Sequence, residues 1–196
     1  MDPRTTLRMH PERARPDRAH EFLAAGMVAH LGFAVQQNPD EPPQPYVIPL
    51  TYHFDADEPD LLYLHGGTRS RAMDHLATGA PVCVTVTMLD GLVYAKTALH
   101  HSMNYRCVVV FGRAAIVEED ARKAEVLEKM ISRYWPDRIA GRDYSSPPEG
   151  HLKITALAEI RIESMSAKLR EGGPNGPGDN DPDAPGTAGV TPLQMF

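Results

Sequence analysis

The chain has 196 residues, of which 42% are hydrophobic and 23% charged, and these values suit a single soluble domain with its own core. Its 20 Lys and Arg residues against 26 Asp and Glu residues give a formal net charge of −6, which argues against broad nucleic-acid binding because that needs a basic face. No apolar run approaches the roughly 18 residues of a membrane span, and the polar N-terminal segment lacks the apolar centre of a secretory signal. We therefore expect a cytoplasmic protein.

Strands dominate the elements that follow a polar arm over residues 1–16. A short helix is predicted from Asp17 to Ala25, where Gly26 would end it. Apolar runs bounded by turn residues then predict strands, and the dipeptide Asp90-Gly91 is typical of a hairpin turn that would divide one of them. The predicted strands cover residues 28–35, 46–54, 61–65, 82–95, 105–118 and 154–162, and two further helices cover residues 69–78 and 120–135.

A tail rich in Gly and Pro follows these elements over residues 171–196. Such a composition does not form a packed element by itself, so the tail is either disordered or laid over another surface. The domain itself would span residues 17–170. Many strands with few helices, and no regular alternation between the two, predict a mainly β fold, namely an antiparallel barrel with helices on its outside.

The segment LYLHGGTRSRAMDHL, residues 62–76, has the features of an anion site. Thr68 is placed to cap the helix predicted from Arg69, and the free N–H groups of a first helical turn attract a negative ligand. Two glycines before Thr68 let the backbone approach closely, and Arg69 and Arg71 can bind a phosphate. The alternative interpretation is a solvated turn with surface arginines. Neither a P-loop nor a GxGxxG motif is present.

Nine histidines raise the question of a metal site. His53 and His65 could approach each other on neighbouring strands, but HExxH and Cys/His ligand spacings are absent, so packed histidines are expected and no metal site is predicted. Cys83 and Cys107 lie in strand-like runs without CxxC spacing, which indicates a reducing compartment. Cys107 is typical of a core residue, although its neighbour Arg106 leaves a reactive role open.

Several motifs together resemble the pyridoxamine 5′-phosphate oxidase-like FMN-binding split barrels. More narrowly, they are similar to the flavin-nucleotide-binding branch that includes the nitroimidazole-resistance reductases. The most specific motif is HHSMNYR followed by an apolar strand and a glycine, over residues 100–112. The others are MVAHLGF, PYVIPLTYHFD, LYLHGGTRSRAMDHL, SAKLREGGP and AGVTPL. The resemblance covers about residues 10–192 and implies a six-stranded antiparallel split β-barrel of the FMN-binding type.

The resemblance also implies a homodimer with two FMN molecules at its interface, each contacted by both subunits. The strand that contains residues 47–50 would lie along the flavin ring, and residues between 65 and 71 would hold the ribityl phosphate. Cys107 would face the flavin of the partner subunit. The residues implied to bind the cofactor are Val47, Ile48, Pro49, Leu50, His65, Thr68, Arg69, Ser70, Arg71, Cys107, Lys168 and Arg170.

Two positions depart from the family pattern. The true oxidases carry a lysine where Ala72 stands, so one phosphate cation is missing and Arg69 would replace it. The branch usually has serine where Cys107 stands, which would alter a hydrogen bond to the flavin. The C-terminal pattern that grips pyridoxal substrates is absent, which argues against vitamin B6 oxidation.

These observations favour an FMN-dependent oxidoreductase, in which NADH or NADPH reduces the flavin and a small acceptor, such as a nitroaromatic or a quinone, is reduced in turn. His65 and Tyr105 are the candidate proton donors, and the alternative for Tyr105 is a packed strand aromatic. Two other functions stay open: non-catalytic flavin binding for storage or sensing, and haem binding by a split barrel in which a histidine ligates iron. A deazaflavin in place of FMN also stays open.

Overall fold

The computed structural model describes residues 2–193, apart from the side chain of Glu149. Eight strands form one antiparallel sheet in this part of the chain. Their bounds are β1 (Ala29–Val35), β2 (Gln44–Leu50), β3 (Tyr52–His53), β4 (Leu61–Gly67), β5 (Pro81–Tyr94), β6 (Ser102–Ile116), β7 (Thr155–Arg170) and β8 (Gly189–Pro192). The strand order is β2-β1-β5-β6-β7-β4-β3, and β8 pairs with the far end of β5.

The sheet curls into a split barrel. Its body consists of the six strands with seven or more residues, whereas β3 and β8 contribute two and four residues. The prediction of a mainly β, six-stranded antiparallel split barrel is therefore confirmed, with two short strands added to it. The edge strand β2 contains Pro45 and Pro49, which lack an N–H group and so protect an open edge from further pairing.

Alternating burial along the long strands creates the core inside the curl. In β5, Val82, Val84 and Val86 are buried, and the residues between them are half-exposed. Because successive side chains of a strand point to opposite faces, this run of valines gives the sheet one apolar face. Phe22 and Leu76, from two helices beside the sheet, complete the same core cluster.

Four α-helices flank the sheet in residues 2–193: α1 (Ala19–Ala25), α2 (Arg71–Ala77), α3 (Asp120–Tyr134) and α4 (Glu149–Ile154). The longest, α3, packs on the outer side of β4 and β7, where Val126 joins Tyr63 and Leu157 in a second apolar cluster. None of the helices in the described chain has the length and apolar character that crossing a membrane requires.

Two helix starts differ from the prediction. A 3-10 turn over Pro16–Arg18 precedes α1, which begins at Ala19 rather than at Asp17. The helix α2 begins at Arg71, and its N-cap is Ser70, whose hydroxyl accepts a hydrogen bond from the Met73 N–H at 3.3 Å. The prediction of Thr68 as the cap was wrong because the Thr68 N–H donates to the carbonyl of Ile154 at the end of α4, which holds Thr68 outside the first turn of α2.

The dipeptide Asp90-Gly91 forms no hairpin turn. β5 continues through both residues with a bulge in its pairing to β6. The carboxylate of Asp90 accepts hydrogen bonds from Nε of Arg106 on β6 at 3.0 Å and from its Nη2 atom at 2.6 Å, which keeps the two strands together at the irregular point. The chain reverses only after Tyr94, so a bulge replaces the predicted turn.

The two ends of the chain lie against the sheet. Near the N-terminus, the Arg15 N–H donates to the Ala167 carbonyl at 2.9 Å, so the predicted arm lies along the edge of β7. The tail places β8 beside residues 91–94, and Lys96 Nζ donates to the carbonyl of Ala184 at 2.9 Å. Of the two alternatives for the tail, the described part therefore follows the second, a segment laid over another surface.

Candidate functional site

Arg71 and Ser70 occupy the junction between β4 and α2. The Arg71 side chain is exposed and stacks on Tyr46 of β2, with its guanidinium carbon 4.5 Å from the ring centroid. Ser70 caps the helix with the hydroxyl that also faces Gly66 of β4. Through these contacts the junction connects β2, β4 and α2, and it holds the exposed Arg71 guanidinium near the half-buried Ser70 hydroxyl, both of which can donate to a phosphate.

Thr68 and Arg69 lie just before this helix and are both exposed. A Cβ atom built on the neighbouring Gly67 would meet nothing within 4 Å, so the junction has open space for a ligand. Because α2 has only seven residues and starts after Arg69, its macrodipole contributes little to anion binding. The attraction therefore depends on the guanidinium groups of Arg69 and Arg71.

Ala72 does not face the junction. Its side chain is 4% exposed and belongs to the main core cluster with Met73 and Leu76. A lysine at this point of α2 would bring its ammonium group into the apolar core. With α2 in this orientation, a lysine at position 72 could not reach a phosphate at the junction. The alanine that departs from the family pattern therefore costs this site no cation.

Strand β2 presents its residues on two faces. Ile48 and Leu50 pack against the core, whereas Val47, which is 69% exposed, and Pro49 project outward. Of the four residues expected along the flavin ring, only the latter two are available to a ligand through their side chains. The other two could contribute backbone atoms alone.

Four of the remaining predicted residues meet on β6 and β7. Cys107 pairs with Lys168, and Tyr105 pairs with Arg170, in the register of these strands. Lys168 Nζ lies 5.8 Å from the centre of the Tyr105 ring, and Thr87 Oγ1 donates to Cys107 Sγ at 3.4 Å. Cys107 is half-exposed rather than core.

Arg170 forms the buried end of this cluster. Its side chain donates to the Oδ1 atom of Asn104, and burial lowers the pKa of its guanidinium. From the sequence, only the family resemblance predicted that these residues belong to one site.

One outer sheet face carries both β2 and this cluster. The strand register places Pro49, His30 and Thr85 in a row across β2, β1 and β5. The same row continues through Val109 and Ser166 on β6 and β7. Thr85, Val109 and Ser166 are half-exposed, whereas Pro49 and His30 are exposed, and Lys168 of the cluster lies on the same face.

His65 points away from the phosphate junction. Gly66, its neighbour on β4, faces Ser70, and successive residues of a strand face opposite sides, so the His65 imidazole lies under α3. There it borders a cavity of about 570 Å³. Its Nδ1 atom is buried without a hydrogen-bond partner in the described chain, and burial lowers the pKa of the imidazole. The neutral form, which can ligate a metal or accept a proton, is thus favoured.

The walls of this cavity come from α3, the loop after it and α4. Leu127 and Ile131, predicted on the apolar face of α3, border the cavity with Trp135, which is 59% exposed. The loop and α4 add residues that sequence reasoning did not assign to a site: Ala140, Tyr144, Ser145, Ser146, Pro147 and His151. The only signal in the sequence was the unusual cluster of aromatic, hydroxyl and imidazole groups in a proline-rich loop.

His53 does not join His65 in a metal site. In the register of β3 and β4 it pairs with Tyr63, and it lies 6.2 Å from that ring between centroids. Both of its ring nitrogens are buried without a partner in residues 2–193. No group of three or more His, Cys, Asp or Glu side chains in the described chain is arranged to hold a metal ion.

The curled antiparallel sheet with a few flanking helices defines a split barrel. The pyridoxamine 5′-phosphate oxidase family matches residues 15–169, and the chain belongs to this family. No curated protein matches the sequence.

Three solved structures illustrate the similarity. The flavocytochrome Anf3 from Azotobacter vinelandii is 28% identical, with a TM-score of 0.83 over 99% of this chain and 86% of that one. The FAD and heme binding protein from Mycobacterium smegmatis is 29% identical, with a TM-score of 0.77 over 92% and 84%. A candidate 5-nitroimidazole antibiotic resistance protein from Bacteroides thetaiotaomicron shares the fold, with 20% identity and a TM-score of 0.60 over 79% and 84%.

Proposed function

We propose that this protein binds a flavin nucleotide, with a phosphate of the flavin at the junction between β4 and α2. The observation that carries the proposal is Arg71, which is held on Tyr46 beside the open space at Gly67. The guanidinium of Arg71 and the hydroxyl of Ser70 would hold the phosphate, while Arg69 supplies a second positive charge. Val47 and Pro49 are the exposed side chains of β2 that would contact the flavin ring.

FMN and FAD share this phosphate chemistry. The family resemblance favours FMN, whereas the two relatives that are 28% and 29% identical are a flavocytochrome and a protein that binds FAD. Mass spectrometry of the small molecule released by denaturing the purified protein separates the two, and it also identifies a deazaflavin. Release of no flavin from protein purified with added FMN and FAD would contradict the proposal.

The outer sheet face supports a homodimer as the working form. Apolar and hydroxyl side chains such as Val109, Thr85 and Ser166 are half-exposed there, which is typical of a surface that a second copy covers. The same face carries Cys107 and Lys168, the residues that the family resemblance assigns to the flavin of the partner subunit. A dimer would thus bring the β6–β7 cluster of one subunit to the flavin that the other subunit anchors.

The proposed activity is the reduction of a small organic acceptor by NADH or NADPH. When bound, the flavin supplies the electron transfer, and the protein contributes binding and orientation. Tyr105 lies on the outer face with its ring beside the ammonium group of Lys168, so its phenol could deliver a proton at the dimer face. His65 would deliver a proton only inside the cavity under α3.

Anaerobic mixing with NADPH or NADH tests the turnover. Bleaching of the flavin, followed by reoxidation on addition of a nitroaromatic or a quinone, is the expected result. A flavin that neither cofactor bleaches would leave the non-catalytic alternative, binding for storage or sensing.

Haem binding is the second candidate function, and the cavity under α3 favours it. A volume of about 570 Å³ and a largely apolar lining from Leu127, Met130 and Ile131 suit a flat, hydrophobic group. The His65 imidazole borders this cavity, and burial lowers its pKa and so favours the neutral form that ligates iron. The relatives with 28% and 29% identity are a flavocytochrome and an FAD and heme binding protein, respectively.

The absorption spectrum of the purified protein tests this second function. A Soret band in the wild type that disappears in His65→Ala, with the flavin bands unchanged, would support haem in the cavity. A matched His101→Ala variant should keep the band because His101 is exposed on the far connection between β5 and β6. The absence of a Soret band after hemin is added to the protein would exclude this function.

A further inference from the structure

His30 lies on the outer face of the sheet, beside the strand that would contact the flavin ring. Its neighbours on β1, Ala29 and Leu31, are fully buried, whereas His30 is exposed. Because successive side chains of a strand point to opposite faces, the imidazole projects outward from the barrel. The outer face thus carries an ionisable side chain next to β2.

Pro49 of β2 stands directly opposite His30 in the antiparallel register of the two strands. Because Pro49 has no N–H group to exchange, the pair is of the non-hydrogen-bonded kind, in which facing side chains come closest. The Cβ atoms of such a pair are about 4.5–5.5 Å apart. Pro49 and Val47 are the exposed side chains of β2 that would contact the flavin ring, so the imidazole of His30 would border that ring.

His30 has no partner in the described chain that would fix its protonation state. In residues 2–193 its ring forms no hydrogen bond and no ion pair. Among the outward residues of β2 and β5 around it, the ionisable one is Cys83, which lies diagonally beyond Thr85 on β5. Burial raises the pKa of the Cys83 thiol, so that this group is uncharged near neutral pH. The imidazole is therefore free to exchange a proton with a bound molecule or with water.

Tyr105, the other candidate donor on the outer face, lies much farther from Pro49 in the same subunit. The row from Pro49 crosses β1, β5 and β6, which are three steps of about 4.8 Å along the sheet. Tyr105 is then four residues along β6 from Val109, or about 13 Å further. An imidazole also exchanges its proton near neutral pH, whereas a phenol does so near pH 10. His30 thus has both the position and the chemistry of a proton donor beside the flavin strand.

We propose that His30 donates the proton that a quinone-class acceptor needs when the flavin reduces it. This inference deepens the proposed function and rests on the flavin lying along β2. NADH or NADPH is oxidised, and its two electrons pass through the flavin to the quinone as a hydride. The imidazolium of His30 gives its proton to the second oxygen of the quinone, and the product is the hydroquinone. The neutral imidazole then regains a proton from water.

Reoxidation of the reduced protein by two different acceptors tests this role. The flavin-loaded protein is reduced by light under anaerobic conditions, so that no NADH or NADPH is needed, and is mixed in a stopped-flow instrument with menadione or with ferricyanide. Menadione is a quinone and takes up protons, whereas ferricyanide takes one electron and no proton. In His30→Gln, reoxidation by menadione should be about 100-fold slower than in the wild type, a contribution typical of a general acid. Reoxidation by ferricyanide should keep the wild-type rate.

Two further variants separate proton donation from a structural effect. His101→Gln removes an exposed histidine from the connection between β5 and β6, and it should react with both acceptors as the wild type does. His30→Ala leaves space for a free imidazole molecule. Imidazole added to this variant should restore most of the menadione rate and leave the ferricyanide rate unchanged.

Several results would overturn the inference. One is a menadione rate that is unchanged in His30→Gln, and another is an equal slowing with both acceptors, because a proton donor acts only on the acceptor that takes a proton. A wild type that menadione does not reoxidise, or a His30→Ala variant that imidazole does not rescue, would also overturn it. Each of these results leaves flavin binding in place, whereas a protein that takes up no flavin would refute the proposed function itself.

Discussion

Arg71 lies over the ring of Tyr46, with its guanidinium carbon 4.5 Å from the ring centroid, so that the first residue of α2 rests on a strand that is distant in the sequence. This contact joins the predicted phosphate site to the predicted flavin strand. Because a stacked guanidinium has few alternative rotamers, less conformational freedom is lost when it binds a phosphate. We therefore expect Arg71 and Tyr46 to contribute separately to flavin affinity. Arg71 would act through its charge, and Tyr46 through the stacking that supports the guanidinium.

Replacement of Arg71 by alanine should weaken flavin binding by about 10- to 100-fold, since a hydrogen bond to a charged group contributes about 1.5–3 kcal/mol. Titration of the apoprotein with FMN or FAD, followed by the quenching of flavin fluorescence, measures the change. Arg8→Ala is the control, because Arg8 is an exposed arginine of the N-terminal arm. An unchanged dissociation constant in Arg71→Ala would place the phosphate elsewhere.

The ring of Tyr46 should contribute more to flavin affinity than its hydroxyl does. Tyr46→Leu removes the platform under Arg71 and should weaken flavin binding by about two- to fivefold, as expected for an exposed cation–π contact of about 0.5–1 kcal/mol. Tyr46→Phe keeps the ring and loses only the hydrogen bond from Gln37 Nε2 at 2.9 Å. Its affinity should match that of the wild type in the same titration. Equal losses in both variants would show that the hydroxyl, not the stacking, is responsible.

The sequence predicted most strands to within a few residues because apolar alternation along a strand is a local signal. The bulge at Asp90-Gly91 could not be predicted, since it depends on Arg106 from the neighbouring strand. The start of α2 was missed for a similar reason: Thr68 is held by Ile154, which is far away in the sequence. The local pattern predicted Thr68 as the cap because the contact that occupies its N–H is not local.

The candidate site was predictable only in part. The segment around Arg71 carries its own signal in charge and glycine content, whereas Tyr105, Cys107 and Lys168 became a cluster only through strand pairing. The direction of His65 follows from the alternation of β4, which the sequence shows, but the cavity that it faces is made by the loop after α3. Nothing local indicates that such a loop folds back over a strand.

Gly112 allows β6 and β7 to approach closely at a second irregularity of the sheet. A Cβ atom at this position would lie 2.2 Å from the carbonyl oxygen of Arg161, which is backbone and cannot turn aside. Gly112→Ala should therefore lower the melting temperature by about 2–12 °C, as overpacking of about 1–3 kcal/mol implies for a chain of this size. Gly173→Ala is the control because its Cβ would meet nothing within 4 Å. Calorimetry measures the melting temperatures of both variants, and equal temperatures would refute the steric argument.

Stability should fall as the pH drops below neutrality, and His53 should contribute to the fall. Burial, and next the positive charge of Arg133, lower the pKa of His53. The unfolded chain therefore binds a proton at a pH where the folded chain does not, so the free energy of unfolding decreases as the pH falls from about 6.5 toward the lowered pKa. Above the unfolded value the contribution is fully present. His53→Gln, which cannot titrate, should show a smaller slope of unfolding free energy against pH in urea titrations between pH 5 and 7, and a slope equal to that of the wild type would contradict the assignment.

The proposed homodimer would use the outer face in which Val109 lies between Thr85 and Ser166. Val109→Arg places a charged side chain in the middle of this face, where a second copy would have to bury it unpaired, so the variant should sediment as a monomer at concentrations where the wild type is a dimer. It should also lose flavin, because the partner's β6–β7 cluster would no longer reach the cofactor. Leu99→Arg is the matched control: Leu99 is 95% exposed at the connection between β5 and β6, and the same added charge there should leave both the dimer and the flavin in place. A Val109→Arg variant that remains a dimer, with its melting temperature unchanged, would show that the subunits associate through another surface.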